Sequence, residues 1–405
     1  MSFTAQRLKA IKPSPTLAVT ARAARLKAEG KDIIGLGAGE PDFDTPQFVK
    51  DAAIAAIHKG HTKYTPAGGT LSLKKAIIAK YKRDNGLDYG EKQVLVSCGG
   101  KQSCFNLCLA LLNPGDEVII PAPYWVSYPD MVMMADATPV FVPAGIEQGF
   151  RITPAQLERA ITPNTRLMFI NSPSNPSGAV YSLADLAALG EVLRKYPRVV
   201  IATDDMYEHI ILDGTKFVNI LNACPDLYGR TVVLNGVSKA YSMTGWRIGY
   251  CGGPEEIISG MENVQSHSTS NPTSISQYAA EAALNGDQGC IAPMVAAFKE
   301  RGKFVFEQLN RIPGVKCLAP AGAFYVFPDC REAIKRLHAD GKLKAATDAA
   351  LCEYLMEQTE AVAAVPGSAF GLEGYLRISF ATSMDNLKKA MERMARAMAA
   401  VPAMA

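Results

Sequence analysis

An α/β fold, with a mainly parallel sheet covered by helices on both faces and a smaller α+β unit after it, is what this sequence predicts. Three observations carry the expectation. Short apolar, β-branched runs at 93–97, 117–120, 165–170, 199–202 and 231–234 alternate with stretches of helical length, the pattern of parallel strands joined by crossover helices. Beyond Pro313 and Gly314 the pattern shortens, with strand-like runs at 322–327, 362–365 and 375–380, a helix around 346–358 and a last amphipathic helix from about Met384. Polar and aromatic residues gather just after the apolar runs, where open α/β sheets place their ligands.

Taken in order, the chain opens with a polar, basic arm to about Asp32. Pro13 and Pro15 keep its first part extended, and a helix over 18–28 comes next. The run I-I-G-L-G-A-G-E-P-D-F-D-T-P from Ile33 to Pro46 reads as a loop whose backbone comes close to a ligand. It lacks the strand–turn–helix context of a dinucleotide fingerprint. A helix over 46–58 leads to K-Y-T-P-A-G-G, where Tyr64, before Thr65 and Pro66, has the setting of an exposed turn residue. After the strand at 93–97, Gly99 and Gly100 open a helix over 102–112. Free N–H groups and the helix dipole make that turn an anion site, with Gly100, Lys101 and Gln102 as candidates. It is not a P-loop, because Leu95 stands where the first glycine should be. The next strands end towards Trp125, Asn175, Asp204 and Tyr207, and helices fill much of 255–310. The expected division is an arm at 1–45 that joins the small domain, a large domain at 46–310 and a small C-terminal domain at 311–405.

Composition bounds the function classes. The 405 residues are 48% hydrophobic and 20% charged, ordinary for a globular enzyme of about two domains. A net charge of +3 without any Lys/Arg block gives no nucleic-acid footprint. Nine cysteines include no C-x-x-C pair; Cys104 and Cys108, one helical turn apart, read as core thiols. No metal is expected. With no signal-peptide pattern and no apolar stretch of membrane-spanning length, no membrane partner and a cytoplasmic location are the expectation.

The stretch most informative about chemistry is N-G-V-S-K-A-Y-S-M-T-G-W-R-I-G at 235–249. It lies between a buried strand and a second short strand, read over 246–251. Ser238, Lys239 and Arg247 bring a hydroxyl, an amine and a phosphate fork to one loop. One use fits all three: the amine forms a Schiff base with an aldehyde cofactor whose phosphate the other two hold. A rival reading takes G-x-S-x-A at 236–240 as a loose nucleophile elbow, making Ser238 a hydrolase nucleophile. That needs an acid and then a histidine downstream, where only His267 and His338 are found.

The S-K-x-(x)n-G-x-R-x-G run resembles the lysine segment of the class I/II, fold type I, pyridoxal-phosphate-dependent aminotransferases, and the likeness covers nearly the whole chain. It implies a three-layer PLP-transferase fold and a homodimer with active sites at its interface. It also implies pyridoxal 5′-phosphate carried on Lys239, which acts as the catalytic base. The resemblance assigns the phosphate to Gly100, Lys101, Gln102, Ser238 and Arg247, with Tyr64 reaching the partner subunit's phosphate. Asp204 would pair with the pyridine nitrogen, Tyr207 and Asn175 with the ring's phenolate oxygen, and Trp125 would stack on the ring. Gly39 and Arg377 would hold the substrate carboxylate.

Within the family the chain is similar to bacterial aspartate aminotransferases with K-P-S-x-T in the arm and G-G-K-Q at the phosphate turn, some of which also transaminate prephenate to arogenate. That group has no partner arginine for the second carboxylate. This chain likewise has none between Arg247 and Arg301, so Lys12 and Lys101 are the implied cations. The expected reaction is ping-pong transamination between L-aspartate and 2-oxoglutarate. An aromatic or kynurenine-type aminotransferase and a C–S lyase share the fold. A pyridoxal-phosphate-binding regulator would carry an added DNA-binding domain, for which the thirty or so residues before the glycine loop are too few.

Overall fold

The alternation read from the sequence resolves into one seven-stranded sheet in the computed structural model, in which residues 3–399 are described. The chain enters through helix α1 (Pro15–Ala28) and a short strand, β1 (Asp32–Gly35), then through helices α2 (Gln47–His58) and α3 (Leu71–Lys80). The sheet is built from β2 (Val94–Ser97), β3 (Glu117–Ala122), β4 (Thr138–Pro143), β5 (Thr165–Asn171), β6 (Val200–Asp204), β7 (Thr231–Gly236) and β8 (Gly249–Gly252). Between them run α4 (Gly100–Leu111), α5 (Ser127–Met134), α6 (Pro154–Ala160), α7 (Leu183–Arg194) and the single turn α8 (Ile220–Ala223). The strand order is β2-β8-β7-β6-β5-β3-β4. All neighbours are parallel except at β8, which runs against both β7 and β2.

Both faces of this sheet are buried, which is why its strands read as continuous apolar runs. Val94, Val96, Met168, Ile170 and Ile201 point into one core cluster. Leu95, Leu167, Phe169, Val200 and Ala202, their neighbours in sequence, point into the other. Cys104 and Cys108 are free, buried thiols in that second cluster.

After β8, helices α9 (Glu255–Ser266), α10 (Ser274–Asn285) and α11 (Ala292–Leu309) cover the sheet and lead to the C-terminal part. This part comprises β9 (Tyr325–Val326), α12 (Arg331–Ala339), α13 (Asp348–Glu357), β10 (Glu360–Ala363), β11 (Val365–Pro366), β12 (Leu376–Ser379) and α14 (Met384–Ala397). Strands β11, β12 and β9 form a small antiparallel sheet. Among the described residues no helix is long and apolar enough to cross a membrane.

Three expectations change. Residues 32–35 are not loop: β1 pairs in parallel with β10, Ile33 opposite Ala361, and so ties the arm to the C-terminal part. Helix α1 begins at Pro15 rather than at residue 18; proline suits the first helical position, where its missing N–H costs nothing. The strand expected at 246–251 starts only at Gly249, because Thr244–Trp246 is a 3-10 turn and Arg247 takes a left-handed backbone with φ 57°.

Candidate active site

The topology explains why residues from so many segments meet. Each parallel strand delivers the loop at its carboxyl end to one edge of the sheet, and the reversed β8 brings the loop at its amino end to that same edge. A cavity of about 350 Å³ opens there. It is lined by Gly100 and Lys101 after β2, Trp125 after β3, Asn175 after β5, Asp204 and Tyr207 at the end of β6, and Ser238 and Lys239 after β7. Arg247 enters from the start of β8, Gly39 from the loop after β1 and Arg377 from β12.

Two glycines permit this convergence. Gly99 has φ +90°, and a Cβ on it would lie 2.2 Å from the Arg247 guanidinium. A Cβ on Gly249 would fall 2.2 Å from the Gly100 nitrogen, so only glycine lets β8 pass beneath the first turn of α4. The turn and the arginine are thereby held together at the mouth of the cavity, and α4 aims its N-terminus inwards.

Burial sets the electrostatics. The Lys239 amine donates to the Gly39 carbonyl at 2.6 Å. Desolvation, reinforced by Arg247 and Arg377 and opposed by Glu40 and Asp204, pulls that amine down to about 8. Burial raises the Asp204 carboxyl, against the Tyr128 hydroxyl, the Met206 N–H and the Lys239 charge. Tyr128 donates to Asp204 Oδ2 at 2.5 Å. Desolvation, then Arg247, lowers Lys101, whose ammonium lies 5.2 Å from the Trp125 ring centre. Arg377 is buried, donates to Asn175 Oδ1 at 3.1 Å and the Gly37 carbonyl at 2.5 Å, and lies 4.8 Å from the Tyr325 ring. Its Nε is buried and has no hydrogen-bond partner among the described residues.

Three expected residues stand apart from this cavity. Gln102 turns its amide to Asn106 Oδ1 at 2.6 Å, and its backbone N–H bonds Gly99, so neither group serves the turn. Tyr64 is 92% exposed, and Lys12, also exposed, is held near α5 by its backbone hydrogen bond to Asp130. Conversely, Gly37, Asn171, Met206 and Tyr325 line the cavity although the sequence does not single them out, as do Thr16, Leu17 and Thr20 of α1. Tyr325 shares a 3.0 Å hydrogen bond with Tyr207; a tyrosine embedded in an apolar strand is the signal that could have found it. Among the described residues no histidine lines the cavity, which removes the base a Ser238 hydrolase would need.

These groups fit pyridoxal phosphate. The N-terminus of α4, Ser238 and Arg247 offer donors for a dianion, and Lys239 has an amine of lowered basicity. A buried carboxylate, a stacking Trp125 and a guanidinium with an unused buried N–H complete the set. Fold and cavity together are those of an α/β enzyme whose site suits a phosphorylated aldehyde cofactor. The model of the family aminotransferase class I and II matches residues 31–394, and the chain belongs to that family, whose cofactor is pyridoxal 5′-phosphate. It is 68% identical over 390 residues to the aspartate/prephenate aminotransferase of Nitrosomonas europaea, covering 96% of this chain and 98% of that protein. The crystal structure of the aspartate aminotransferase from Rhizobium meliloti superposes with a TM-score of 0.93 at 51% identity, covering 98% of this chain and 99% of that one. The Thermus thermophilus aspartate aminotransferase with maleate gives 0.91 at 40% identity, over 98% and 100%.

Proposed function

We propose that this protein transfers the amino group of L-aspartate to 2-oxoglutarate, giving oxaloacetate and L-glutamate, and that prephenate is a second acceptor, giving L-arogenate. The observation that carries the reading is the meeting of Lys239, Asp204, Arg247 and Arg377 in one cavity. The Nitrosomonas europaea and Rhizobium meliloti proteins support the choice of substrate.

Bound pyridoxal phosphate supplies an electron-withdrawing pyridine ring and a carbonyl carbon that holds the amino group. The chain's residues do the rest. Ser238, Arg247 and the N–H groups of Gly100 and Lys101 bind the phosphate. Asp204 keeps the proton on the ring nitrogen, while Asn175 and Tyr207 donate to the ring oxygen. Arg377 grips the α-carboxylate and so orients the Cα–H bond. Lys239, whose amine is lowered to about 8, would take that proton from Cα and hand it to the former carbonyl carbon within the same half-reaction, and would move it in the opposite direction in the second half. Lys101, in the cavity wall, provides the cation for the second carboxylate, a role that Lys12, standing apart from the cavity, does not reach in this structure.

Residues 1–45 and 311–405 make the small domain of this reading and 46–310 the large one, a division supported by the pairing of β1 with β10. A homodimer is supported by Tyr64, Ile54, Ile57 and Leu71, all large and half exposed or more. Tyr64 would there reach the neighbouring phosphate. Free thiols at all nine cysteines suit a reducing, cytoplasmic setting.

The test is the visible spectrum of the cofactor-loaded protein before and after L-aspartate alone. Loss of the lysine-linked band with release of one oxaloacetate per site is the expected result. A band indifferent to aspartate would overturn the substrate, and an unchanged band in Lys239→Ala would overturn the role of the lysine.

A further inference from the structure

Behind the cavity lies a buried polar cluster that the mechanism does not use. The Glu208 carboxylate receives the Lys80 ammonium and the Asn235 amide (2.7 Å) on one oxygen, and the Asn85 amide (2.7 Å) on the other. Lys80 also donates to Asn85 Oδ1 at 2.8 Å. All four residues are buried, Lys80 completely, and none of them lines the cavity. Asp84, Glu208 and His209 lie close enough for a metal ion, but the Lys80 ammonium, bonded to Glu208 and 3.8 Å from Asp84, already supplies the cation.

The placement of this carboxylate is telling. Glu208 directly succeeds Tyr207 and lies four residues beyond Asp204. Asn235 sits on β7, four residues before Lys239, and its Oδ1 accepts the Gly236 N–H at 2.7 Å. Lys80 ends α3, and Asn85 ends the π-helical turn Tyr81–Asn85, a local irregularity that sets both side chains on one carboxylate. A buried ion pair is a weak stabiliser, since desolvation cancels most of its attraction; its best-attested use is to fix register.

We propose that the Glu208 side chain, held in place by Lys80 and Asn85, is a positioning device for the cofactor site, whose acceptor oxygen locks Asn235, and with it the Lys239 loop, to the segment bearing Asp204 and Tyr207. Burial alone would raise the Glu208 carboxyl, yet the Lys80 ammonium and the Asn85 amide hold it below its ordinary value, so the acceptor for Asn235 is a carboxylate. The inference rests on the reading of Lys239 as the cofactor's attachment point.

The experiment compares holoenzymes by cofactor release rate and by the pH midpoint of the visible band, with thermal unfolding alongside. Lys80→Met/Glu208→Met removes both charges at similar volume and leaves Asn235 without its acceptor. Release about tenfold faster, the equivalent of about 1.4 kcal/mol, is expected, with a displaced band midpoint. Lys80→Met/Glu208→Gln keeps an acceptor for Asn235 and should restore both readouts. A merely structural pair would lower the unfolding temperature while leaving release and midpoint at wild-type values in the Met/Met protein, and that result overturns the proposal. Should the Met/Met protein not fold, Asn235→Ala, which leaves the ion pair intact, must show the same faster release, and unchanged release there is equally fatal. Lys239→Ala separates the two readings: if its loaded form keeps the lysine-linked band, the underlying assignment has failed, whereas loss of that band with unmoved lock variants condemns the lock alone.

Discussion

Tyr128→Phe is the most direct probe of how the site keeps a buried acid charged. The ring would not move: it is 1% exposed, stacks on Phe169 at 4.4 Å and 14°, and meets Trp125 edge-on at 5.3 Å. Phenylalanine therefore deletes one oxygen and little else. That oxygen donates to Asp204 Oδ2 at 2.5 Å, while the other carboxylate oxygen accepts, among the described residues, only the Met206 N–H at 3.3 Å. Burial already raises the Asp204 carboxyl, and the tyrosine is the first of the groups opposing it, so its loss raises the carboxyl further. A hydrogen bond to a charged acceptor contributes about 1.5–3 kcal/mol. Only the ionised carboxylate pairs with a protonated ring nitrogen, so the cost should fall on the cofactor. Its dissociation constant should rise roughly 10- to 150-fold, with kcat lower as well. Equilibrium dialysis of pyridoxal phosphate and steady-state rates at saturating cofactor measure both. A phenylalanine variant within about twofold of wild type in both would refute the reasoning, because the bond would then carry less than about 0.5 kcal/mol.

The same geometry sets two further outcomes. Arg377→Lys keeps the charge but loses the fork that reaches Asn175 and Gly37 and the free Nε, so KM for aspartate should rise about 30-fold, or about 2 kcal/mol, with the cofactor band unchanged; an unaltered KM would place the α-carboxylate elsewhere. The Lys239 amine must be neutral to attack the aldehyde, and since its folded-state value is lowered from 10.5 to about 8, cofactor uptake by the apoenzyme should climb about tenfold per pH unit below that value and level off above it. Stopped-flow reconstitution across pH 6–10 reads this directly, and a rate still climbing at pH 10 would mean that the amine is not desolvated.

How much of the fold and site is legible in the sequence depends on how local each signal is. The central strands can be read because burial on both faces leaves a run of apolar residues in the middle of each. Edge strand β4, with Thr138 and Phe141 exposed, offers only the three-residue run V-F-V between two prolines, too short a signal to stand out. β1 reads as loop because four residues acquire strand geometry only through β10, at the far end of the chain. In the site, Ser238, Lys239 and Arg247 announce themselves as three polar functions in one short stretch. Tyr128 and Tyr325 do not, since each looks like core until its hydroxyl partner, Asp204 or Tyr207, is brought from another element.

Arg247 shows how a correct residue can be read on the wrong backbone. As part of a strand over 246–251 it would have joined the ladder. Instead its left-handed turn lets β8 run back along β7, with Gly236 opposite Gly249. Because β8 is reversed, its first residues lie at the edge where β7 ends, and Lys239 and Arg247 reach one cavity from a single stretch. A parallel β8 of four residues would have left Arg247 at the opposite edge of the sheet, about 13 Å away at 3.3 Å per residue. The antiparallel strand in an otherwise parallel sheet is thus what allows one continuous segment to bring both the Lys239 amine and the Arg247 guanidinium to the cavity.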